Sequence, residues 1–145
     1  MKRKLTMILV LLTLCACRTA TEQWLNGLAG FKELHTSAFR LQAMKVTPTG
    51  PDTTSVTYQV RIYPSGGGTD QAAGFYYGMD SCFSLQSGKV NIKPSYFQPV
   101  NNGIAHCFEY LLSFPVNRSM RSAPAGLVYQ DRIIDGKRYI LNLNK

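Results

Sequence analysis

Asp80, Cys82, His106, Cys107 and Glu109 are residue types that ligate transition metals or attack a carbonyl carbon, and they fall in two short stretches. A compact ligand set needs its donors on one face. Asp80 and Cys82 meet that condition on an extended strand, but His106 and Cys107 are neighbours and would point to opposite faces. The paired spacings usual in zinc sites, such as C-x₂-C, are absent. A Cys–His nucleophile would need Cys82 beside His106 and a third group to orient the imidazole. Should Cys15 be removed and Cys17 be modified, Cys82 and Cys107, 25 residues apart on expected central strands, are the remaining even pair, which an oxidising compartment would join in a disulfide. Closing such a loop contributes about 3 kcal/mol, requires Cα atoms within about 7 Å, and consumes the thiol that a nucleophile needs. The other reading is two buried thiols packing as small hydrophobes. No catalytic residue, metal ligand or cofactor follows from this pattern.

Contact chemistry is the next possibility. Tyr63, Tyr76 and Tyr77, with Tyr96 and Tyr129, could form an aromatic platform for a glycan or peptide. Tyrosines in alternating strands also pack with only the phenol end wet. Arg118 and Arg121, in a loop with Ser119 and Ser122, could grip an anionic partner or simply be solvated. The Ser65–Asp70 stretch is glycine-rich but lacks the lysine and hydroxyl residue of a phosphate-binding loop.

The elements that must position these residues have mostly a period of two. Ala38–Thr47 reads as a first strand with Phe39 and Leu41 on one face. Val56, Tyr58, Val60 and Ile62 alternate with Thr57, Gln59, Arg61 and Tyr63, the pattern of a half-buried strand. Phe75–Leu85 is expected to be a strand bulged near Gly78, with Lys89–Lys93 as its partner. Ser95–Val100 carries Pro99 and belongs at an edge. Ala105–Phe114 is strongly β-like. Leu127–Ile134 and Lys137–Leu143 are expected to meet across a two-residue Asp135-Gly136 turn. About seven strands without helical crossovers imply an all-β domain, a single antiparallel sandwich, with a small β-barrel as the alternative architecture. Before them, Trp24, Leu28 and Phe31 share one face of a short helix or irregular tether.

The N-terminus has a different composition. Lys2, Arg3 and Lys4 precede a nearly unbroken apolar run from Leu5 to Ala16. That run is too short for a permanent span, which takes about 20 residues, and fits the hydrophobic region of a signal peptide. Leu14-Cys15-Ala16-Cys17 then resembles the bacterial lipobox. Leu14 takes the aliphatic slot, Ala16 the small one, and Cys17 is the thiol that would receive diacylglycerol. The resemblance covers residues 1–17 and implies a signal peptide (1–16), a lipidated tether (17–37) and a β-sandwich (38–145). Several acyl chains anchor a protein stably where one does not. Arg18, in place of a retention-type Asp, implies an outer-membrane lipoprotein facing the periplasm.

Without Lys2, Arg3 and Lys4 the net charge falls from +8 to +5, and Lys137-Arg138 is the longest basic run that follows. Neither a dense basic run nor a known motif points to nucleic-acid binding. The expected function is a non-enzymatic interaction or scaffold module held at the membrane, with an envelope protein as partner. A glycan or small-molecule binder using exposed tyrosines is the second reading, and a Cys/His-centred hydrolase or metal enzyme the third.

Overall fold

A computed structural model describes residues 31–46, 54–66, 69–117, 120 and 125–143. Alternation decides which side of each strand is buried. In β2 (Phe39–Val46), Phe39, Leu41 and Ala43 turn inward while Arg40 and Gln42 turn outward. In β3 (Ser55–Pro64), Tyr58, Val60 and Ile62 are buried between the more open Gln59, Arg61 and Tyr63. In β7 (Phe108–Pro115), Tyr110, Leu112 and Phe114 continue the same apolar face. These three strands are the centre of a five-stranded antiparallel sheet. Its edges are β1 (Phe31–His35), beside β2, and β6 (Tyr96–Val100), beside β7. A second antiparallel sheet has the order β5 (Val90–Ile92), β4 (Phe83–Ser87), β8 (Ala125–Gln130), β9 (Arg138–Asn142).

The two inner faces are locked by aromatic rings. Phe39 meets Tyr129 and Tyr139 edge-to-face at 5.5 and 4.8 Å. Phe83 of the smaller sheet lies 5.6 Å from Tyr110 of the larger, and Phe97 stacks on Tyr110 at 5.4 Å. Such pairs add about 0.5–1.5 kcal/mol each beyond area burial. The domain is an all-β sandwich, and the sheets do not join into a barrel.

Several elements differ from the sequence reading. Nine strands occur among the described residues, where about seven were expected. Phe31, grouped by spacing with Trp24 and Leu28 on a helix face, begins β1 and pairs with Met44. The sheet therefore starts inside the segment expected to be tether; Trp24 and Leu28 lie outside the described residues. Thr36 makes the β1–β2 turn possible. Its hydroxyl accepts from the Phe39 N–H at 2.9 Å and donates to the Phe39 carbonyl at 2.8 Å.

Phe75–Leu85 is not one bulged strand. It contains the end of α1 (Thr69–Tyr76), a 3₁₀ turn (Met79–Cys82) and the start of β4. Phe75, Met79 and Cys82 are all buried at spacings of four and three, a helical periodicity that the glycine between them conceals. Gly78, at φ 75°, lets the chain change direction there. β7 begins at Phe108 rather than Ala105, because His106 sits at φ 55° and breaks the extended path. The closing hairpin has a loop over residues 131–137 in place of a two-residue turn, although Gly136 does take the expected positive φ of 72°. Pro99 lies on edge strand β6 as its missing N–H requires.

Candidate functional site

Glu109 faces outward on β7, the side that alternation leaves polar, yet it is only 5% exposed. Its cross-strand neighbour is Arg61. The Arg61 Nε–H donates to Glu109 Oε2 at 2.6 Å, and the Gln59 amide donates to Oε1. A third donor comes from the β6–β7 connection. Asn102 Nδ2 reaches Oε2 at 2.8 Å and also lies 3.2 Å from Cys107 Sγ. The connection is held in shape by its own asparagines: Asn101 Oδ1 accepts from Gly103 N–H and Asn102 Oδ1 from Ile104 N–H. Burial alone would push the Glu109 pKa up; the hydrogen bonds from Asn102, Gln59 and Arg61 outweigh it and hold the carboxyl below its ordinary value. Burial pulls the Arg61 pKa down, and Glu109 more than reverses that. The pair is therefore ionised, with its two charges opposed.

This network continues across the sheet. The Arg40 guanidinium lies 4.2 Å from the centre of the Tyr63 ring, a cation–π contact. Burial, and then a hydrogen bond with Cys107, raise the Tyr63 pKa. On the far strand, Glu33 accepts from Gln42 at 2.8 Å and pairs with Arg40 at 3.5 Å.

Beside Glu109 the loop and α1 enclose a concavity of about 220 Å³. Its walls include Phe75 and Tyr76 of α1, Pro99 and Val100 of β6, Asn101 and Ile104 of the loop, and Phe108 at the start of β7. Phe75 and Phe108 stack at 4.3 Å, and Tyr76 meets Phe108 edge-to-face at 5.5 Å. The Tyr110 hydroxyl, on the floor, donates to the Phe75 carbonyl at 2.6 Å and ties α1 to the sheet. Tyr76 and Ile104 stay 57% and 49% exposed at the rim.

A second buried carboxylate lies on the smaller sheet. Asp131 is 1% exposed. It accepts from the Tyr129 hydroxyl at 2.8 Å and from the backbone N–H groups of Ile133, Ile134, Asp135 and Gly136. Burial opposes its charge, but these donors prevail and set its pKa at about 2. Burial followed by the Asp131 contact drives the Tyr129 pKa upward. Every hydrogen-bond partner of the Asp131 carboxylate among the described residues belongs to its own hairpin, so it is a structural hub.

The residues singled out by sequence are only partly brought together. Cys82 and Cys107 are both buried free thiols, so the expected disulfide is not formed. Cys82 closes the 3₁₀ turn, with its sulfur 3.8 Å from the Gly78 carbonyl, whereas Cys107 belongs to the Glu109 network. They occupy different elements because the 75–85 stretch is helical where a strand was expected. Burial first of all raises the Cys82 pKa, which suits a packed thiol rather than a nucleophile. His106 is exposed on the loop, and Asp80 is exposed on the 3₁₀ turn. Among the described residues no group of three His, Cys, Asp or Glu side chains is placed to hold a metal. Tyr76 lines the concavity; Tyr77, 81% exposed, does not. Cys17, Arg118 and Arg121 lie outside the described residues. Sequence reading missed Asn102, Gln59, Arg61 and Ile104. An Arg and a Glu at outward positions of otherwise apolar strands were the available signal.

No family model, curated protein or solved structure matches the chain. Function must therefore be read from the residues. Among the described residues no helix is long and apolar enough to cross a membrane, which leaves strands unaddressed.

Proposed function

We propose that this chain is a bacterial lipoprotein, acylated at Cys17, whose β-sandwich works as a non-enzymatic interaction or scaffold module of the cell envelope. The lipobox-like Leu14-Cys15-Ala16-Cys17 after a basic and then apolar leader carries this reading. Arg18 favours the outer membrane, with the domain in the periplasm. A lipid anchor raises the local concentration of the domain at the membrane, so a modest contact with a neighbouring envelope protein suffices for assembly.

The test has two parts. Intact mass of membrane-extracted protein should show cleavage before Cys17 and added acyl chains, and Cys17→Ala should leave the membrane fraction. Crosslinking in native membranes should then recover a discrete protein partner. A Cys17→Ala protein that sediments with membranes as the parent does would falsify the anchor, and recovery of an isolated monomer only would remove the partner.

A second reading is favoured by a specific observation. The concavity beside Glu109 is lined by four aromatic residues, Phe75, Tyr76, Phe108 and Tyr110, and small-ligand sites combine such apolar walls with a few placed polar groups. On this reading the lipoprotein holds a glycan or small molecule, with Tyr76 as the contact tyrosine.

A further inference from the structure

We propose that the concavity between α1 and the β6–β7 loop binds a single sugar ring of an envelope glycan, stacked on Tyr76. This rests on the ligand-holding reading and names its ligand class and site.

Size limits the ligand first. About 220 Å³ is enclosed, below the range of about 300–1,000 Å³ typical of sites for drug-sized molecules. One ring fits, with the remainder of a chain left outside. Charge limits it next. Among the described residues the only charged side chain in the wall is Glu109, and the Arg61 guanidinium 2.6 Å away already opposes it. An ion would therefore find no unmatched counter-charge, so the ligand is neutral.

The lining requires a molecule with both apolar faces and hydroxyl groups. Tyr76 presents an open ring braced against Phe108, a surface that the C–H face of a sugar can cover. Polar groups stand beside it. Among the described residues Glu109 Oε1 accepts one hydrogen bond and Oε2 two, and a carboxylate has about four acceptor positions. Asn101 Oδ1 is used within the loop, while its Nδ2 makes no hydrogen bond among the described residues. A pyranose offers donors for the first and acceptors for the second. An extended peptide is less well served, because Pro99 removes a backbone donor from the edge strand forming one wall.

The position in the fold agrees. Phe31 pairs with Met44, and Ser55 with Pro115, at one end of the larger sheet. Phe108 pairs with Ile62, and Val100 with Glu109, at the other. β1 thus begins at one pole of the larger sheet and the concavity lies at the opposite pole.

The experiment is saturation-transfer difference NMR on the full lipidated chain in lauryldimethylamine oxide micelles, which contain no sugar. N,N′-diacetylchitobiose and cellobiose serve as probes. Saturation of aromatic protons should transfer to the ring protons of at least one probe. Tyr76→Ala should weaken binding about tenfold or more and Asn101→Ala about threefold, while Tyr77→Ala, exposed but outside the wall, should change it less than twofold. Both tyrosine variants are at open surface positions, and thermal unfolding verifies that they fold. Absence of transfer to both probes overturns the proposal, as does equal loss in Tyr76→Ala and Tyr77→Ala, or displacement of the probe by a proline-free extended peptide. Any of these results leaves the anchored interaction module standing, since that reading is decided by Cys17 and by crosslinking.

Discussion

Asp131 and Glu109 are both ionised carboxylates buried in the sandwich, but their charges are satisfied at very different sequence distances. Asp131 is held by Tyr129 and by N–H groups no more than five residues downstream. Glu109 is held by Gln59 and Arg61, 50 and 48 residues upstream, and by Asn102 from the preceding loop. The first arrangement fixes one hairpin. The second fastens β3, β7 and the loop that walls the concavity. A carboxylate that shapes a turn can be served by backbone alone, whereas one that aligns separate strands recruits side chains and a cation.

The largest expected effect is on the local hub. Asp131→Ala strips the acceptor from the Tyr129 hydroxyl and from four N–H groups, and should cost about 3 kcal/mol in urea unfolding. A loss below about 1 kcal/mol would mean that water replaces the carboxylate and that the two regions differ less than described.

Breaking the dispersed network should cost less, because Arg61 is partly open to solvent. Arg61→Met leaves Glu109 without its cation and should cost about 1–2 kcal/mol. Combining it with Glu109→Gln should cost clearly less than the two single changes added together, the signature of a coupled pair. Strict additivity would show that each residue acts through packing alone.

Acid acts on both sites. Both carboxyls have folded pKa values below their ordinary ones, Asp131 at about 2 against 3.8. The unfolded chain therefore binds more protons in this range, and stability falls as the pH drops below about 4.5. The contribution of Asp131 is intact above about pH 4 and gone below about 2. Asp131→Asn should lower the slope of stability against pH over that interval by up to about 1.4 kcal/mol per unit. Glu109→Gln should also flatten the limb below about pH 4.5, since that carboxyl too is held below its ordinary value. A limb unchanged by Glu109→Gln would contradict that direction.

How much of this was legible in the sequence follows from the range of each interaction. The sandwich was visible because alternation in Phe39–Val46 and Val56–Tyr63 is a local signal that survives without partners. The placement of Pro99 at an edge was legible for the same reason, since its missing N–H is a property of one residue. The helical stretch through Phe75, Met79 and Cys82 was not, because apolar residues on both sides of Gly78 also fit a bulged strand. That misreading put Cys82 on a strand and made the disulfide look natural. The concavity could not be foreseen: it exists only where α1 meets the β6–β7 loop, and no spacing along the chain brings Phe75 to Phe108. The loop over residues 131–137 was hidden for a subtler reason, since a lone Asp before an apolar pair gives no sign that it will gather five donors.

The short reach of the Asp131 contacts also sets an order of events as the chain acquires its shape. Tying ends about 50 residues apart costs about 2 kcal/mol more chain entropy than tying ends about five apart. The C-terminal hairpin can therefore organise early and alone, while the Arg61–Glu109 clasp snaps shut only after the larger sheet has come together. Kinetic φ-values near 1 at Asp131 and near 0 at Arg61 are the expected record of that sequence. The wall of the concavity would then be the last part of the molecule to be finished.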